Sequence, residues 1–400
     1  MKSFLSLFIC TTILSFARSQ DENTLITTLT LQGDTLNGYY YATLFFGTPL
    51  QRQTLIVDTG STLTAIPCSE CGANCGTSHF DPFFNESSSE TFRYFDCNLP
   101  FGQYTCLDCL NQCPFHRDYQ EGSSYDGHYI QDFISFGDGF EKVFAPFGCI
   151  TQEAGLVYYQ NVDGILGLGV LTNTIYSPPN FLDVLEMNNQ NNSKAFTLCL
   201  AQEGGYFSIG GYNSTTHYPN EPVFYTNFAD SQYQLTLNNI SVNGEDLGLN
   251  MNVMNEGGIM LDSGSAFSSF YFEAYDAMLS SFDYFCNEDE SPCVRIVYED
   301  TLGNPNCWIP NPEFVPSKED FFSAFPTFSF YFYGDAEYQW EAQDYLYRAQ
   351  GPDEIYCLGM SNATSATILG ATFMKNHDIM FDKENSMIGF IRASCSTSQF

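Results

Sequence analysis

Two tetrapeptides in this chain carry residues suited to acid–base chemistry. Asp58-Thr59-Gly60-Ser61 follows the apolar run Leu55-Ile56-Val57, and Asp262-Ser263-Gly264-Ser265 follows Ile259-Met260-Leu261. Each is followed, 107 and 106 residues after its Asp, by the same tripeptide, Ile165-Leu166-Gly167 and Ile368-Leu369-Gly370. A lone Asp-Thr-Gly reads equally well as a turn or a helix cap. Two copies at matched spacing describe a duplicated unit that brings two aspartates together at a pseudo-twofold axis. Two carboxylates in one site share a proton and titrate as a pair. The ionised member can take a proton from water while the protonated member donates to a peptide carbonyl oxygen. Such hydrolysis has water as its nucleophile and needs no covalent intermediate, metal or cofactor. Asp58 and Asp262 are the candidate acid and base, in either assignment.

The elements that must hold these loops read mostly as strands. Tyr40 to Phe46, a Gly47-Thr48-Pro49 turn and Gln53 to Val57 form a hairpin leading into Asp58. Residues 66–118 are rich in Cys and turn residues. Tyr119 to Phe136 reads as a second hairpin bent at Gly122-Ser123-Ser124. Between Asn180 and Asn188, Phe181, Leu182, Val184 and Leu185 have helical spacing. Strands return from Ala195 and lead to the second Asp loop, after which Tyr271 to Phe285 reads as a helix. Residues 20–38 are polar and read as a short tail. These features divide the chain into a first lobe, 39–203, and a second, 204–395.

The composition is consistent with that reading. A chain of 400 residues accommodates two lobes, and 38 Phe with 26 Tyr lean towards β structure. A net charge of −34 argues against nucleic acid or an anionic membrane as partner and suits an acidic compartment. Residues 1–19 have the form of a secretory leader: Lys2, an apolar stretch from Phe4 to Phe16 too short to cross a bilayer, then Ala17-Arg18-Ser19. No later stretch has the length of a transmembrane anchor. Of 15 Cys, Cys10 lies in the leader and fourteen remain, an even number. Cys68-x2-Cys71-x3-Cys75 and Cys106-x2-Cys109-x3-Cys113 would suggest zinc in a cytosolic chain; behind a leader they read as disulfides. Sequons at Asn85, Asn191, Asn213, Asn239 and Asn362 permit N-glycosylation. The five His are scattered, without the spacing of metal ligands or of a nucleophile and its base.

With these residues on the page, the chain resembles the pepsin-like aspartic proteases over roughly residues 38–393. The resemblance rests on the two Asp loops, the two Ile-Leu-Gly segments, Asp163 to Gly169, and the closing Met380-Phe381-Asp382 and Ile388-Gly389-Phe390. The insert with Cys68, Cys71, Cys75, Cys97, Cys106, Cys109 and Cys113 is similar to the nepenthesin type. Ile66-Pro67-Cys68 and Tyr119 to Ser123 are similar to the plasmepsin V subtype. That subtype carries a C-terminal membrane anchor not seen in this sequence, so its location and narrow specificity are not carried over.

The resemblance implies an all-β, bilobal fold with a cleft between the lobes, and an endopeptidase, monomeric and without cofactor, acting on extended polypeptides. The location it implies is secreted or endolysosomal. It implies that Thr59 and Ser263 lock the loops across the lobe interface, and that Tyr119, with Gly122 and Ser123 at the tip, forms a flap over substrate. From the residues themselves, Ser61 and Ser265 are placed to bond the outer oxygens of their Asp, and Gly60 and Gly264 to let backbone approach the neighbouring carboxylate. The resemblance implies Cys307–Cys357 and Cys199–Cys395; Cys286–Cys293 would then close a short loop, and the pairing in the first lobe stays open. There are departures. Ala65 stands where many pepsins have the Trp that partners the flap Tyr, and Ala371 follows the second Ile-Leu-Gly where an Asp is common. Residues 20–38 also lack the basic character of an inhibitory propeptide. The alternatives are a catalytically inactive binding or inhibitor protein on the same fold, which predicts damage to a catalytic motif, and a zinc-binding or adhesion module.

Overall fold

The computed structural model describes residues 26–396, except 96–100, 102–103, 105, 107–111, 138–141, 172–176, 189–193, 230–231, 286–292, 297–305, 312, 316, 335 and 351–353. It is mostly β, and its two halves repeat one strand arrangement around the two Asp loops. In the first half, Gln51–Asp58 pairs in parallel with Gly164–Gly167, which pairs antiparallel with Thr64–Pro67. Thr64–Pro67 pairs in parallel with Val143–Ala154. In the second half, Ile259–Leu261 pairs in parallel with Thr367–Leu369, which pairs antiparallel with Ser268–Tyr271. Ser268–Tyr271 pairs in parallel with Met360–Ala363. Each Ile-Leu-Gly strand therefore threads between the strand that enters its Asp loop and the strand that leaves it. Flanked on both sides, these strands are almost wholly apolar, as parallel strands covered on both faces must be.

The halves are joined by more than a linker. Tyr39–Phe46 pairs with Gln51–Asp58, as the hairpin reading expected. Residues 20–38, read as a tail, are not one throughout: Thr27–Asp34 is a strand between Glu203–Ile209 and Tyr39–Phe46. One of its partners, Glu203–Ile209, is far away in sequence, and its alternating Thr and Leu are too few to announce it. The division between 203 and 204 falls inside an antiparallel pair, Ala195–Leu200 with Glu203–Ile209. Ala195–Leu200 also pairs with His377–Asp382, which pairs with Met387–Arg392. One continuous sheet thus carries strands from both halves. Phe196 stacks on Phe381 at 4.6 Å with planes 5° apart, and Tyr233 packs edge-on against both. The buried Tyr233 hydroxyl donates to Leu168 O at 2.8 Å, tying the second half to the first.

The hairpin near residue 119 begins earlier than expected. Its strands are Cys113–Asp118 and Ser124–Ser135, so the first lies in the stretch read as insert, and Tyr119–Ser123 is the turn. Cys113, Phe115 and Arg117 turn inward, while Pro114, His116 and Asp118 are exposed. The helices match better. Asn180 caps Phe181–Met187 by accepting from Asp183 N, and Phe272–Phe285 forms the second. Five disulfides lie among the described residues: Cys68–Cys149, Cys71–Cys75, Cys106–Cys113, Cys199–Cys395 and Cys307–Cys357. The last two are the pairs the resemblance implied. Cys286, the expected partner of Cys293, lies outside the described residues, as do Cys97, Cys109 and the leader. The Cys-x2-Cys-x3-Cys runs supply disulfides: Cys71 and Cys75 pair within the first, and Cys113 pairs with Cys106 in the second.

Leu31 is 1% exposed and Tyr40, its neighbour in the shared sheet, donates to Ala201 O at 2.6 Å. A chain beginning at residue 36 is therefore expected to lose cooperative unfolding, because removing Thr27–Asp34 opens the sheet between the halves. The check is a urea melt followed by tryptophan fluorescence. A true tail would leave the midpoint unchanged.

Candidate active site

The two Asp loops meet at the interface of the halves. Asp58 ends Gln51–Asp58, and Asp262 directly follows Ile259–Leu261. Each carboxylate is held in the same way. Gly60 N donates to Asp58 Oδ1 at 2.8 Å, and Gly264 N donates to Asp262 Oδ1 at 2.9 Å. The Ser61 hydroxyl donates to Asp58 Oδ2, and that of Ser265 donates to Asp262 Oδ2 at 2.8 Å. A side chain at Gly60 would clash with the Asp262 carboxylate, and one at Gly264 with Asp58. The Oδ1 atoms are therefore the inner oxygens, and glycine is what lets each loop reach the opposite carboxylate.

A reciprocal set of bonds fixes that approach. Ser263 N donates to Thr59 Oγ1 at 2.9 Å, and Thr59 N donates to Ser263 Oγ at 3.1 Å. Each hydroxyl then donates across the interface to the strand before the other Asp. Thr59 Oγ1 bonds Leu261 O at 3.0 Å, and Ser263 Oγ bonds Val57 O at 2.7 Å. Both residues are buried, so these bonds are shielded from competing water. The Ile-Leu-Gly strands support the loops from behind. Leu168 N donates to Asp58 O at 2.7 Å, and Asp262 N donates to Leu369 O at 3.0 Å. Ala371 N donates to Ser265 O, so Ala371 serves the loop through its backbone.

Asp58 is 5% exposed and Asp262 9%, which leaves both carboxylates open only towards a cleft of about 550 Å³. Burial raises the Asp58 carboxyl far above the usual carboxylate range, and repulsion from Asp262 raises it further. The Ser61 and Gly60 bonds oppose that shift without cancelling it.

The opposite wall is the hairpin turn. Tyr119 lines the cleft and packs edge-on against Tyr125, with ring centroids 5.6 Å apart. With Ala65 in place of a large aromatic partner, the Tyr119 hydroxyl, turned inward towards Ser61, makes no well-formed hydrogen bond among the described residues. Phe115 of the hairpin packs beside Ala65, since both crowd the Cα of Gly148. Gly122 and Ser123 are not brought to the cleft. Gly122, at φ +90°, makes the turn. The Ser123 hydroxyl is buried and accepts from Leu156 N at 3.0 Å and Val157 N at 3.3 Å, anchoring the hairpin to the 155–159 turn. Ile56 and Ile165, from the two apolar motifs, make apolar walls; Val157, Val170, Leu171 and Gln232, which also line the cleft, gave no signal in the sequence. Gln232 and Tyr233 both have left-handed φ values, 58° and 47°, unusual for residues with side chains. The packing of Tyr233 offsets that cost. Alternation along 113–119 was the one available signal for Arg117, which also lines the cleft.

The described His take structural roles. His79 lies between Glu153, at 3.2 Å, and Asp163, while His217 bonds Asp378 at 2.9 Å. His377 is buried against Tyr338, and burial, with Arg392 adding to it, pushes its imidazole down to about 3. Two clusters have the side-chain proximity of a metal site, Cys68 with Glu86 and Cys149, and Glu70 with His128 and Cys149. In both the sulfurs belong to the Cys68–Cys149 disulfide, which removes the thiolates a metal would need.

Comparison with known proteins agrees with this geometry. The model of the eukaryotic aspartyl protease family matches residues 39–393. Aspartic protease 5 of Toxoplasma gondii is 26% identical over 89% of this chain, and plasmepsin V of Plasmodium falciparum is 25% identical over 90%. Aspartic proteinase nepenthesin-1 of Nepenthes gracilis is 26% identical over 90%. The aligned region spans 36%, 72% and 79% of those proteins. A match across nearly all of the described fold, with both Asp loops inside it, places this chain in the eukaryotic aspartyl protease family.

Proposed function

We propose that the chain is an aspartic endopeptidase that hydrolyses extended polypeptides with Asp58 and Asp262 as its catalytic pair. The observation that carries this is the reciprocal Thr59–Ser263 bonding, which sets two buried carboxylates face to face at the floor of a cleft. A binding protein has no use for that arrangement, since two adjacent carboxylates repel and must be forced together. In the proposed reaction Asp58 carries the shared proton. The Asp262 carboxylate takes a proton from a water held between the pair, and the resulting hydroxide attacks the scissile carbonyl carbon. Asp58 gives its proton to the carbonyl oxygen, forming a neutral gem-diol. Collapse passes a proton to the leaving nitrogen and releases amine and carboxylic acid. Substrate adds as an extended strand beneath Tyr119, its side chains alternating into the apolar walls.

We further propose that the protein works as a monomer in the secretory route, outside the cell or in an acidic vacuole. The leader-like residues 1–19, the five disulfides and exposed sequons at Asn85 and Asn362 support this reading. No helix among the described residues is long and apolar enough to cross a membrane.

Cleavage of an unfolded protein between about pH 3 and 7 tests the reaction. Asp58→Ala and Asp262→Ala are each expected to lower kcat by at least about 10³-fold, and pepstatin to abolish turnover. Full activity in either variant would rule the pair out. Asp58→Asn keeps the shape but holds no transferable acid proton, and should be as inactive as Asp58→Ala.

Folding should also depend on pH. Asp58, Asp163, Asp344 and Asp378 all have carboxyl values raised by burial. A group raised on folding contributes stability below its unfolded value of 3.8, and loses it as pH rises through the folded value. His377, lowered on folding, acts oppositely and costs stability as pH falls below 6.5. Of the four carboxyls, Asp58, raised to about 8, titrates between pH 8 and pH 5 and outweighs the imidazole. The melting temperature is expected to rise by about 3 °C or more from pH 8 to pH 5, with a shallower rise in Asp58→Asn. Scanning calorimetry at the two pH values measures it. A melting point that falls in acid would contradict the account.

A further inference from the structure

Only 13 of the 400 residues are Lys or Arg, against 47 Asp and Glu. Where such a protein places a cation without a partner is therefore informative. Arg117 lies on Cys113–Asp118, directly opposite the buried Tyr125, on the inward face of the flap hairpin. It is the only Lys or Arg among the described residues lining the cleft. Its positive charge acts on Tyr119 and Tyr129, which puts the guanidinium beside the flap tyrosine.

No residue of this chain, among those described, pairs with it. Arg117 Nε is shut off from water and has no hydrogen-bond partner. Several other cations do find partners: Arg52 bonds Asp81 at 2.6 Å, Arg392 lies against Glu341 and Asp344, Lys375 donates to Gln202 and Leu346 O, and Arg93 sits over the Phe144 ring. The neighbouring Asp118 points outward and pairs with His116 at 3.1 Å. Glu121 is exposed at the turn, and Asp58 is already bonded by Gly60 and Ser61. An Nε–H shut off from water without a partner is costly to keep, because that donor has lost water and gained nothing in return. The planar fork of a guanidinium is built to accept a carboxylate.

We propose that Arg117 is a specificity-determining residue whose guanidinium receives an acidic side chain, Glu or Asp, of the bound polypeptide. This rests on the reading of the cleft as a polypeptide site. Arg117 sets which chain is held, while Asp58 and Asp262 act on whichever bond lies between them. The acidic side chain must be ionised to be recognised, so the preference belongs above its ordinary value of about 4.3 for Glu and fades below it. The charged and titratable groups facing the subsite, Tyr119, Tyr125, Tyr129, Asp118, Glu121, Asp58 and Asp262, supply no second cation.

The test uses pools of decapeptides, randomised except for Glu or Gln at one defined position. Binding to the Asp58→Asn chain and cleavage by the unaltered chain are both measured at pH 5.5. One position is expected to favour Glu over Gln by roughly fivefold or more. Arg117→Gln should bring that ratio to about one, and Arg117→Glu should reverse it in favour of Gln. At pH 3.5 the ratio in the unaltered protein should collapse as Glu is protonated. Equal Glu/Gln ratios before and after Arg117→Gln, or no acidic preference at any position, would overturn the proposal. Because binding is read without turnover, a chain that selects Glu but cleaves nothing would refute the endopeptidase reading and leave the subsite standing. Melting curves of each variant separate loss of selectivity from loss of fold.

Discussion

Everything in this molecule answers to the repulsion between two carboxylates placed side by side in a dry interface. Left alone, the Asp58 and Asp262 loops would separate or draw in water. They are held by four hydrogen bonds from Thr59 and Ser263, each side chain both accepting an amide of the opposite loop and donating to the opposite strand. Those bonds persist because the strands beneath cannot move. Gly164–Gly167 and Thr367–Leu369 are each wedged between the two strands of their loop, and their neighbours bond the loop backbone directly. The glycines at 60 and 264 set the distance. A methyl group at either would push the opposing carboxylate away.

This arrangement was largely legible in the sequence because duplication prints it twice. An Asp loop after three apolar residues and an apolar tripeptide some 106 residues later have little meaning once and much meaning in pairs. The Asn180 cap and the helix after it were legible for a different reason, since the signal is local. What escaped depends on remote partners or lies in a stretch whose composition hides its pattern. Thr27–Asp34 is a strand only because Glu203–Ile209 and Tyr39–Phe46 flank it. Cys113–Asp118 sits in a stretch whose Cys, Pro and His mask its alternation, and Ser123 reads as a flexible tip until its hydroxyl is seen buried under two amides. Cleft walls such as Gln232 come from chain positions with no motif at all.

The distribution of charge tells a related story. The acidic excess is mainly at the surface, but Asp163, Asp344 and Asp378 are buried, and burial raises their carboxyls. Protons taken up in acid thus relieve strain inside the protein as well as repulsion outside it. Ala65 and Ala371 fit the same picture of a family plan modified locally. Phe115 fills space near the first, and the second supports its loop through its amide.

The sheet that joins the two halves also sets an order of events during synthesis. Thr27 pairs with Ile209, and Ala195–Leu200 waits for His377–Asp382 near the chain's end. The first strand can pair with Tyr39–Phe46 at once, but its other edge stays open until Glu203–Ile209 has left the ribosome. Contacts so distant in sequence close slowly. The two aspartates, which belong to different halves, can meet only when almost the whole chain is free. A nascent or truncated product therefore carries one loop without its counterpart, and the paired carboxylates are assembled late.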